Sequence, residues 1–329
     1  MRNREFIAGI QHWLKLFDER MSDDNTPVHE RPLKSAMWLV RDGIASVSNG
    51  SKESCWEEDW FCVVVNAINE WYEDRYGFKS CHAPRDKLSG IVTFHQTPTI
   101  IAMPVTTSRV EVEGVTAWLT FPDKLQDDED ILELFQSAPN LNSLQPDERE
   151  LFLVSIKEIV HWSRSIQLNL HSATDLCEEA TAMAMSVWGH FEKAISDIMT
   201  LNSARVAVGC WELFFSVEKA FKIYIYQNNT KKAGHCLDSL YEEAKKFGLI
   251  LTPSLLSALP HWKEAIQYRY GEKKISIDQT VVVYRAALQA VFEITQELKK
   301  GITIKNASLL IKKPRWVGYK TGELRLRRS

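Results

Sequence analysis

The stretch VAVGCWELFFSVEKAFKIYIY, residues 206–226, decides the fold of the C-terminal half of the chain. Its apolar residues recur at helical spacing and form two neighbouring stripes, which begin at Val206 and Ala207. A helix with such a wide apolar face belongs in the middle of a bundle rather than at its rim. The sequence therefore predicts a central, buried helix at 203–227.

The same periodicity predicts further helices around the central one. They are expected at 147–168, 174–199, 236–247, 254–269 and 277–299. Thr252 followed by Pro253 is typical of a helix start, and Gly301 after two lysines is typical of a helix end. Because the connections are short, neighbouring helices should run antiparallel. We therefore expect an antiparallel helical bundle over residues 146–300.

Residues 1–145 combine helical and strand-like sequence patterns and are expected to form an α+β domain. Helices are predicted at 4–20, 33–47 and 56–76, and strands between 91 and 121. The string VEVEGVTAWLTF at 110–121 alternates with a period close to two, which is typical of strands. The proline-containing stretch 139–146 is the predicted linker to the bundle. The expected fold class is α+β, mostly α.

Composition and motifs exclude several classes of protein. Apolar residues make up 45% of the chain and charged residues 25%, as in a globular protein with a buried core. The six cysteines have no C-x-x-C spacing, which favours reduced thiols in the cytoplasm. No apolar run approaches the roughly 18 residues of a membrane span, and no signal peptide is evident. Without a P-loop, a G-x-G-x-x-G, an H-E-x-x-H or a G-x-S-x-G motif, we expect no cofactor and no metal.

One carboxylate interrupts the second stripe of the central helix. Glu218 should face the interior, where an unpaired charge is costly, so it needs a cationic or hydrogen-bonding partner. His235, Arg269 and Arg285 are the candidates. Two interpretations stay open: a structural ion pair that fixes the packing of the bundle, or a nucleotide or RNA site formed by Glu218 and Lys222.

Three short strings in this half of the chain resemble the HEPN superfamily, the helical domains of prokaryotic toxins, phage-defence proteins and nucleotide-binding partners. They are WELFFSVEKAFKIYIYQ at 211–227, GHCLDSL at 234–240 and WKEAIQYRYGE at 262–272. The resemblance covers residues 173–298 and nothing before them. It implies a bundle that pairs into a homodimer and binds or acts on RNA or nucleotides in a bacterial toxin or phage-defence system.

The resemblance also implies where catalysis would lie. Many HEPN domains are metal-independent ribonucleases with an Arg-x(4–6)-His motif, in which arginine stabilises the phosphate and histidine moves protons. No histidine follows Arg269 at that spacing. Two candidate pairs remain: Arg269 with His235, at family-like positions, and Arg164 with His171, which have a similar spacing but precede the matching region. Whether the protein is an enzyme stays open, and the alternative is a non-catalytic interaction or dimerisation module.

Residues 301–329 form a basic tail. It carries a net charge of +7, whereas the rest of the chain carries −10. Lysine and arginine bind phosphates and aromatic rings stack on bases, so this composition favours an RNA partner. The candidate RNA-binding residues are Lys312, Lys313, Arg315, Trp316, Lys320 and Arg325. Strands at 308–312 and 323–327 are expected to pair as a hairpin. Alternatively, the tail docks on the acidic body of the same protein.

Overall fold

The fold is known from a computed structural model, which describes residues 2–47, 50–81, 87–113 and 115–312. It is mostly helical with small antiparallel sheets, which confirms the predicted fold class. The chain divides into two compact units. One contains the described residues before 86, those at 110–117 and those from 310 onward, and the other contains 86–109 and 118–309. This division differs from the predicted boundary at residue 145.

The first unit is built on helices. They are α1 (Arg2–Asp23), α2 (Arg31–Trp38), α3 (Asp59–Tyr76) and the single turn α4 (Phe78–Cys81). The three predicted helices are confirmed, although a π-helical turn at Leu39–Gly43 ends the second one early. Phe17 and Phe61 are buried between them. Beside this core, the buried Asp18 accepts a hydrogen bond of 3.0 Å from Arg31.

Five strands lie in the described residues. They are β1 (Lys87–Phe94), β2 (Thr97–Pro104), β3 (Thr107–Val112), β4 (Thr116–Thr120) and β5 (Ser308–Lys312). β1 and β2 form an antiparallel hairpin, and the other three form a sheet in the order β3-β4-β5. The strands predicted before residue 121 are therefore confirmed. The strand predicted at 308–312 is also present, but its neighbour is β4, and the partner expected at 323–327 lies outside the described residues.

The second unit contains the helical bundle. Its helices are α5 (Pro146–Ser172), α6 (Glu178–Ile198), α7 (Ser203–Gln227), α8 (Leu237–Lys245), α9 (Pro253–Ala258), α10 (Trp262–Arg269) and α11 (Ile277–Gln296). Sixteen of the 25 residues of α7 are buried, which confirms it as the central helix. The helix predicted at 254–269 is two helices, because Pro260 interrupts it. None of the helices among the described residues is long and apolar enough to cross a membrane.

The direction of the helices corrects the predicted antiparallel order. α6 and α7 are antiparallel, but the buried Gln227 at the end of α7 binds the ends of two other helices. Its Nε2 donates to the Thr174 carbonyl (2.6 Å) and the Lys299 carbonyl (2.9 Å), and its Oε1 accepts from the Lys299 amide (2.8 Å). Since α5 ends just before Thr174 and α11 just before Lys299, α5, α7 and α11 run in the same direction. The short helices α8–α10 lead the chain from the end of α7 back to the start of α11, so that α11 can run parallel to α7. The predicted cap at Gly301 is wrong, since α11 ends at Gln296.

The β1–β2 hairpin belongs with the bundle rather than with the first unit, because β1 packs directly on α5. A side chain at Gly90 would place its Cβ 2.8 Å from Ile159 Cγ2, so this approach requires glycine. Along the same strand, the Ser89 amide donates to Glu192 Oε1 (2.9 Å) and the Ile91 amide donates to Tyr284 Oη (3.2 Å). Side chains of α6 and α11 thus take the place of a neighbouring strand at this edge.

Candidate functional site

The central helix carries two buried carboxylates, each paired with one histidine and one lysine. Glu212 and Glu218 are only 2% and 1% exposed. Glu212 is bound by two residues of α6, and Glu218 is bound by a residue of α7 and one that precedes α8. Burying a carboxylate is costly unless its charge and its lone pairs are satisfied. The two clusters therefore hold α7 in place and concentrate polar groups at two points along an apolar helix.

Glu212 lies at the base of the first cluster. His190 Nδ1 is 2.7 Å from its Oε2, and Lys193 Nζ binds its Oε1. Burial alone would raise the pKa of Glu212, but the hydrogen bonds from His190 and Lys193 outweigh burial and hold the pKa below its ordinary value. The carboxylate therefore stays ionised. Because Nδ1 of His190 is engaged, its Nε2 is the ring nitrogen left for other groups.

An open depression of about 560 Å³ lies over this cluster. It is lined by Ser186, Gly189, His190, Lys193, Val208, Trp211, Glu212 and Arg269. The guanidinium of Arg269 lies 4.6 Å from the centre of the Trp211 ring, on which the ring of Phe215 also stacks at 5.2 Å. Lys193 and Arg269 thus border the depression, and because Lys193 offsets the charge of the single carboxylate, the depression keeps a net positive charge from Arg269. This arrangement suits an anionic ligand with a flat apolar part.

Lys219 lies one helical turn beyond Phe215 on α7 and contacts Ser186, which lines the depression. Its Nζ donates a hydrogen bond of 2.7 Å to Ser186 Oγ and lies 5.0 Å from the Phe215 ring. Burial lowers the pKa of the Lys219 ammonium, against the opposing effect of Glu212 and Glu218. This lysine is therefore easier to deprotonate than an ordinary one.

The prediction that Glu218 is buried and paired is confirmed. Of the three candidate partners, His235 is the one that binds it, with Nδ1 3.0 Å from Oε2, and Lys222 donates to Oε1 at 2.7 Å. Arg269 instead lies over Trp211, and Arg285 binds Glu158 at 2.6 Å. Lys222 is itself mostly buried, which leaves little room for a ligand at this carboxylate. The geometry favours the structural ion pair over the ligand site.

The structure does not bring Arg164 and His171 together. Arg164 is fully buried and donates to Glu129 Oε2 (2.8 Å) and Oε1 (2.5 Å), as well as to the carbonyls of Pro104 and Lys124. His171 is exposed, and its Nδ1 contacts the Gln167 carbonyl at 2.8 Å. Arg164 is therefore a structural residue whose donors are already used.

The other candidate pair is also separated. Arg269 borders the depression over Glu212, whereas His235 is a partner of Glu218. The histidine that shares the depression with Arg269 is His190, which the sequence did not indicate. The pattern that could have identified it is the spacing of Ser186, His190 and Lys193, which places all three on one face of α6.

Of the candidate RNA-binding residues of the tail, Lys312 is described and is exposed on β5. Lys313, Arg315, Trp316, Lys320 and Arg325 lie outside the described residues. The start of the tail is docked on the second unit. Lys305 Nζ lies 2.7 Å from the buried carboxylate of Asp123, and the Asn306 amide donates to the Phe121 carbonyl at 2.8 Å. The alternative interpretation, a tail bound to its own protein, therefore holds for these residues.

No protein-family model matches the chain, and neither a curated protein nor a solved structure shows significant similarity to it. Within the described residues, no group of three or more His, Cys, Asp or Glu side chains is placed to hold a metal ion.

Proposed function

We propose that this is a HEPN-like, RNA- or nucleotide-binding protein of a bacterial toxin or phage-defence system, and that the depression on α6, α7 and α10 is its binding site. One observation carries the proposal: Lys193, Arg269 and the Glu212-bound His190 converge on one depression beside the Trp211 ring. Two of the strings that resemble the HEPN superfamily, 211–227 and 262–272, supply Trp211 and Arg269. The assignment to toxin or defence systems, and to the cytoplasm, comes from the sequence alone.

The chemistry of these groups suits a phosphate attached to a base. Arginine presents a fixed fork of donors to phosphate oxygens, and lysine adds a mobile point charge. Trp211 and Val208 provide an apolar wall for the base or the sugar. Lys193 offsets the charge of the Glu212 carboxylate, so the charge of Arg269 is left to attract the phosphate. Cleavage of RNA is not required by this arrangement, and the HEPN-type pairs Arg164–His171 and Arg269–His235 are both separated.

Binding of labelled single-stranded RNA, of transfer RNA and of ATP, measured without metal, tests the proposal. We expect Arg269→Ala to weaken binding about tenfold or more, since a charge-assisted contact contributes about 1.5–3 kcal/mol. Lys245→Ala is the matched control, because Lys245 also lies over an aromatic ring, that of Tyr241, but on the surface of α8. Equal affinities for the two variants and the native protein would remove the depression from the site.

A second candidate function, a dimerisation module, is favoured by exposed apolar residues on the parallel helices α5 and α11. Leu151 is 70% exposed, and Val154 and Val282 are also exposed. The two helices are in contact here, because Arg285 donates to Ser155 Oγ at 2.5 Å. Such a surface is typical of helical bundles that pair. Light scattering of the native protein and of Leu151→Asp tests it: a native monomer would exclude this function.

A further inference from the structure

The hydrogen bond between Lys219 and Ser186 joins α7 to α6 at the wall of the depression. Ser186 lines the depression from α6, and Lys219 reaches its hydroxyl from α7 across 2.7 Å. The hydroxyl in turn donates to the Met183 carbonyl at 2.8 Å. A nucleophile and a base within hydrogen-bonding reach, at the wall of an open cavity, are the parts of a serine–lysine catalytic pair.

Lys219 is free to act as a base because the carboxylates nearest to it have other partners. Glu212 is bound by His190 and Lys193, and Glu218 by His235 and Lys222. The amine of Lys219 therefore contacts a hydroxyl and an aromatic ring instead of a carboxylate. Burial among these groups lowers its pKa, and the more distant charges of the two glutamates only reduce that effect. This is the environment in which lysine serves as a general base.

We propose that Ser186 and Lys219 form a nucleophile–base pair that hydrolyses acyl esters carrying an anionic group. The activity goes beyond the proposed binding function. Ser186 is the nucleophile and Lys219 the base, and both are catalytic residues in this assignment. Lys193 and Arg269 bind the anionic group of the ester.

The reaction has two halves. In the first, the Ser186 hydroxyl turns from the Met183 carbonyl to the neutral amine of Lys219, which takes its proton while Oγ bonds to the ester carbonyl carbon. The tetrahedral intermediate collapses, the bond to the alcohol oxygen breaks, and that oxygen takes the proton from Lys219. In the second half, water gives a proton to Lys219 and attacks the acyl carbon, and Ser186 Oγ leaves and regains its proton. The sum is ester plus water to carboxylic acid plus alcohol.

The substrate class follows from the spacing along α6. Ser186 and Lys193 are seven residues apart on one face, which corresponds to about 10 Å along the helix axis. The anionic group should therefore be separated from the ester carbonyl by a short chain, so that it reaches Lys193 and Arg269. A carboxylate and a phosphate satisfy this chemistry equally, and esters without a charge do not.

Covalent labelling with a fluorophosphonate probe, read by peptide mass spectrometry, tests the nucleophile. We expect Ser186 to be labelled and Ser257 to stay unlabelled. Ser257 is the matched control, because it also donates to a carbonyl three residues earlier, that of Ser254 at 2.9 Å, but without a lysine. Lys219→Arg should reduce labelling of Ser186 about 10²-fold or more, since arginine keeps the charge and cannot accept the proton. Equal labelling of Ser186 and Ser257, or full labelling in Lys219→Arg, would overturn the proposal.

Hydrolysis of two chromogenic esters tests the substrate class. The 4-nitrophenyl monoester of succinate carries a carboxylate, and 4-nitrophenyl acetate carries none. We expect the native protein to prefer the first by about tenfold or more in kcat/KM, and Arg269→Ala to lose the preference while keeping labelling of Ser186. Absence of any preference would contradict the assignment of Lys193 and Arg269. Because RNA binding by the native protein is measured independently of ester hydrolysis, failure of the hydrolysis leaves the proposed binding function standing.

Discussion

Arg269 places its guanidinium over the Trp211 ring, with 4.6 Å between the guanidinium carbon and the ring centre. The contact joins α10 to α7 beside the depression. Phe215 stacks on the same ring at an angle of 12° between planes, so Trp211 is held from two directions. Ordering the aromatic wall in advance reduces the entropy that a ligand would otherwise lose on binding. α7 also carries the histidine-bound Glu212, and α10 contributes Arg269 to the depression, while the second cation, Lys193, comes from α6.

Two substitutions of Gly189 should affect the stability of the protein and its binding of RNA or nucleotides differently. A Cβ at Gly189 would meet nothing within 4 Å, so Gly189→Ala should stabilise α6 by about 0.4–1 kcal/mol through loss of unfolded-state entropy. Since Gly189 lines the depression, Gly189→Leu should instead fill it and weaken RNA or nucleotide binding. Thermal unfolding and binding measured on both variants check this.

The matched control is Gly209, a glycine of α7 inside the bundle. Its Cβ would lie 3.0 Å from both the Ala194 carbonyl oxygen and Ile198 Cγ1, so Gly209→Ala should destabilise the protein. Destabilisation by Gly189→Ala of similar size would mean that the depression is closed in solution.

Glu212 should make stability depend on pH in the acid range. Its folded pKa lies below its ordinary value of 4.5, so its stabilising contribution is present above that value and is lost as the pH falls through the folded pKa. The difference in unfolding free energy between the native protein and Glu212→Gln should therefore be largest near neutral pH, at about 1–3 kcal/mol. Below the ordinary value it should shrink. Urea unfolding over a range of pH measures it.

Glu242→Gln is the control for that experiment. Glu242 forms an exposed pair with Lys245 at 2.9 Å, and surface pairs of this kind contribute little. Its substitution should leave the unfolding free energy nearly unchanged at every pH. A flat difference for Glu212→Gln as well would show that His190 and Lys193 do not bind the ionised carboxylate.

Helix α7 shows which features of the site can be predicted from the sequence and which cannot. Its two apolar stripes predict a central helix, and the single charge in the second stripe predicts that Glu218 is buried and paired. Glu212 was missed because it lies outside both stripes, and it is buried by residues of α6 that cover it. The burial of Glu212 depends on tertiary packing, and the sequence around Glu212 does not indicate it.

Arg164 and Pro260 show two further reasons why predictions from the sequence differ from the structure. Arg164 has the residue type of a catalytic group, but Glu129 and two backbone carbonyls from distant segments use its donors. Their approach depends on the fold and is invisible in the sequence. Pro260, by contrast, was a visible signal: proline disfavours helix at the residue before it, and the helix predicted at 254–269 does break there.

Gln227 should be one of the most sensitive polar residues of the bundle. Gln227→Leu removes three hydrogen bonds and leaves the Thr174 and Lys299 carbonyls without this donor. We expect a loss of about 2–4 kcal/mol in unfolding free energy, since buried groups without partners are costly. Gln289→Leu is the control, because the Gln289 side chain donates to Glu293, at 2.9 Å on the same helix, and does not link helix ends. Comparable losses for both variants would contradict the assignment of Gln227 as the link between helix ends.

The basic tail should separate into a docked part and an RNA-binding part. Lys305→Ala should lower the thermal midpoint, because Lys305 and Asn306 oppose the effect of burial and hold the pKa of Asp123 below its ordinary value.

Deletion of residues 313–329 should weaken RNA binding and flatten its salt dependence, with a log–log slope of about −0.7 per phosphate contact on single strands. Trp316→Ala should weaken binding with little change in slope, because stacking releases no counterions. Titrations with the RNA at several salt concentrations measure both quantities, and an unchanged slope after the deletion would leave the depression as the one proposed RNA contact.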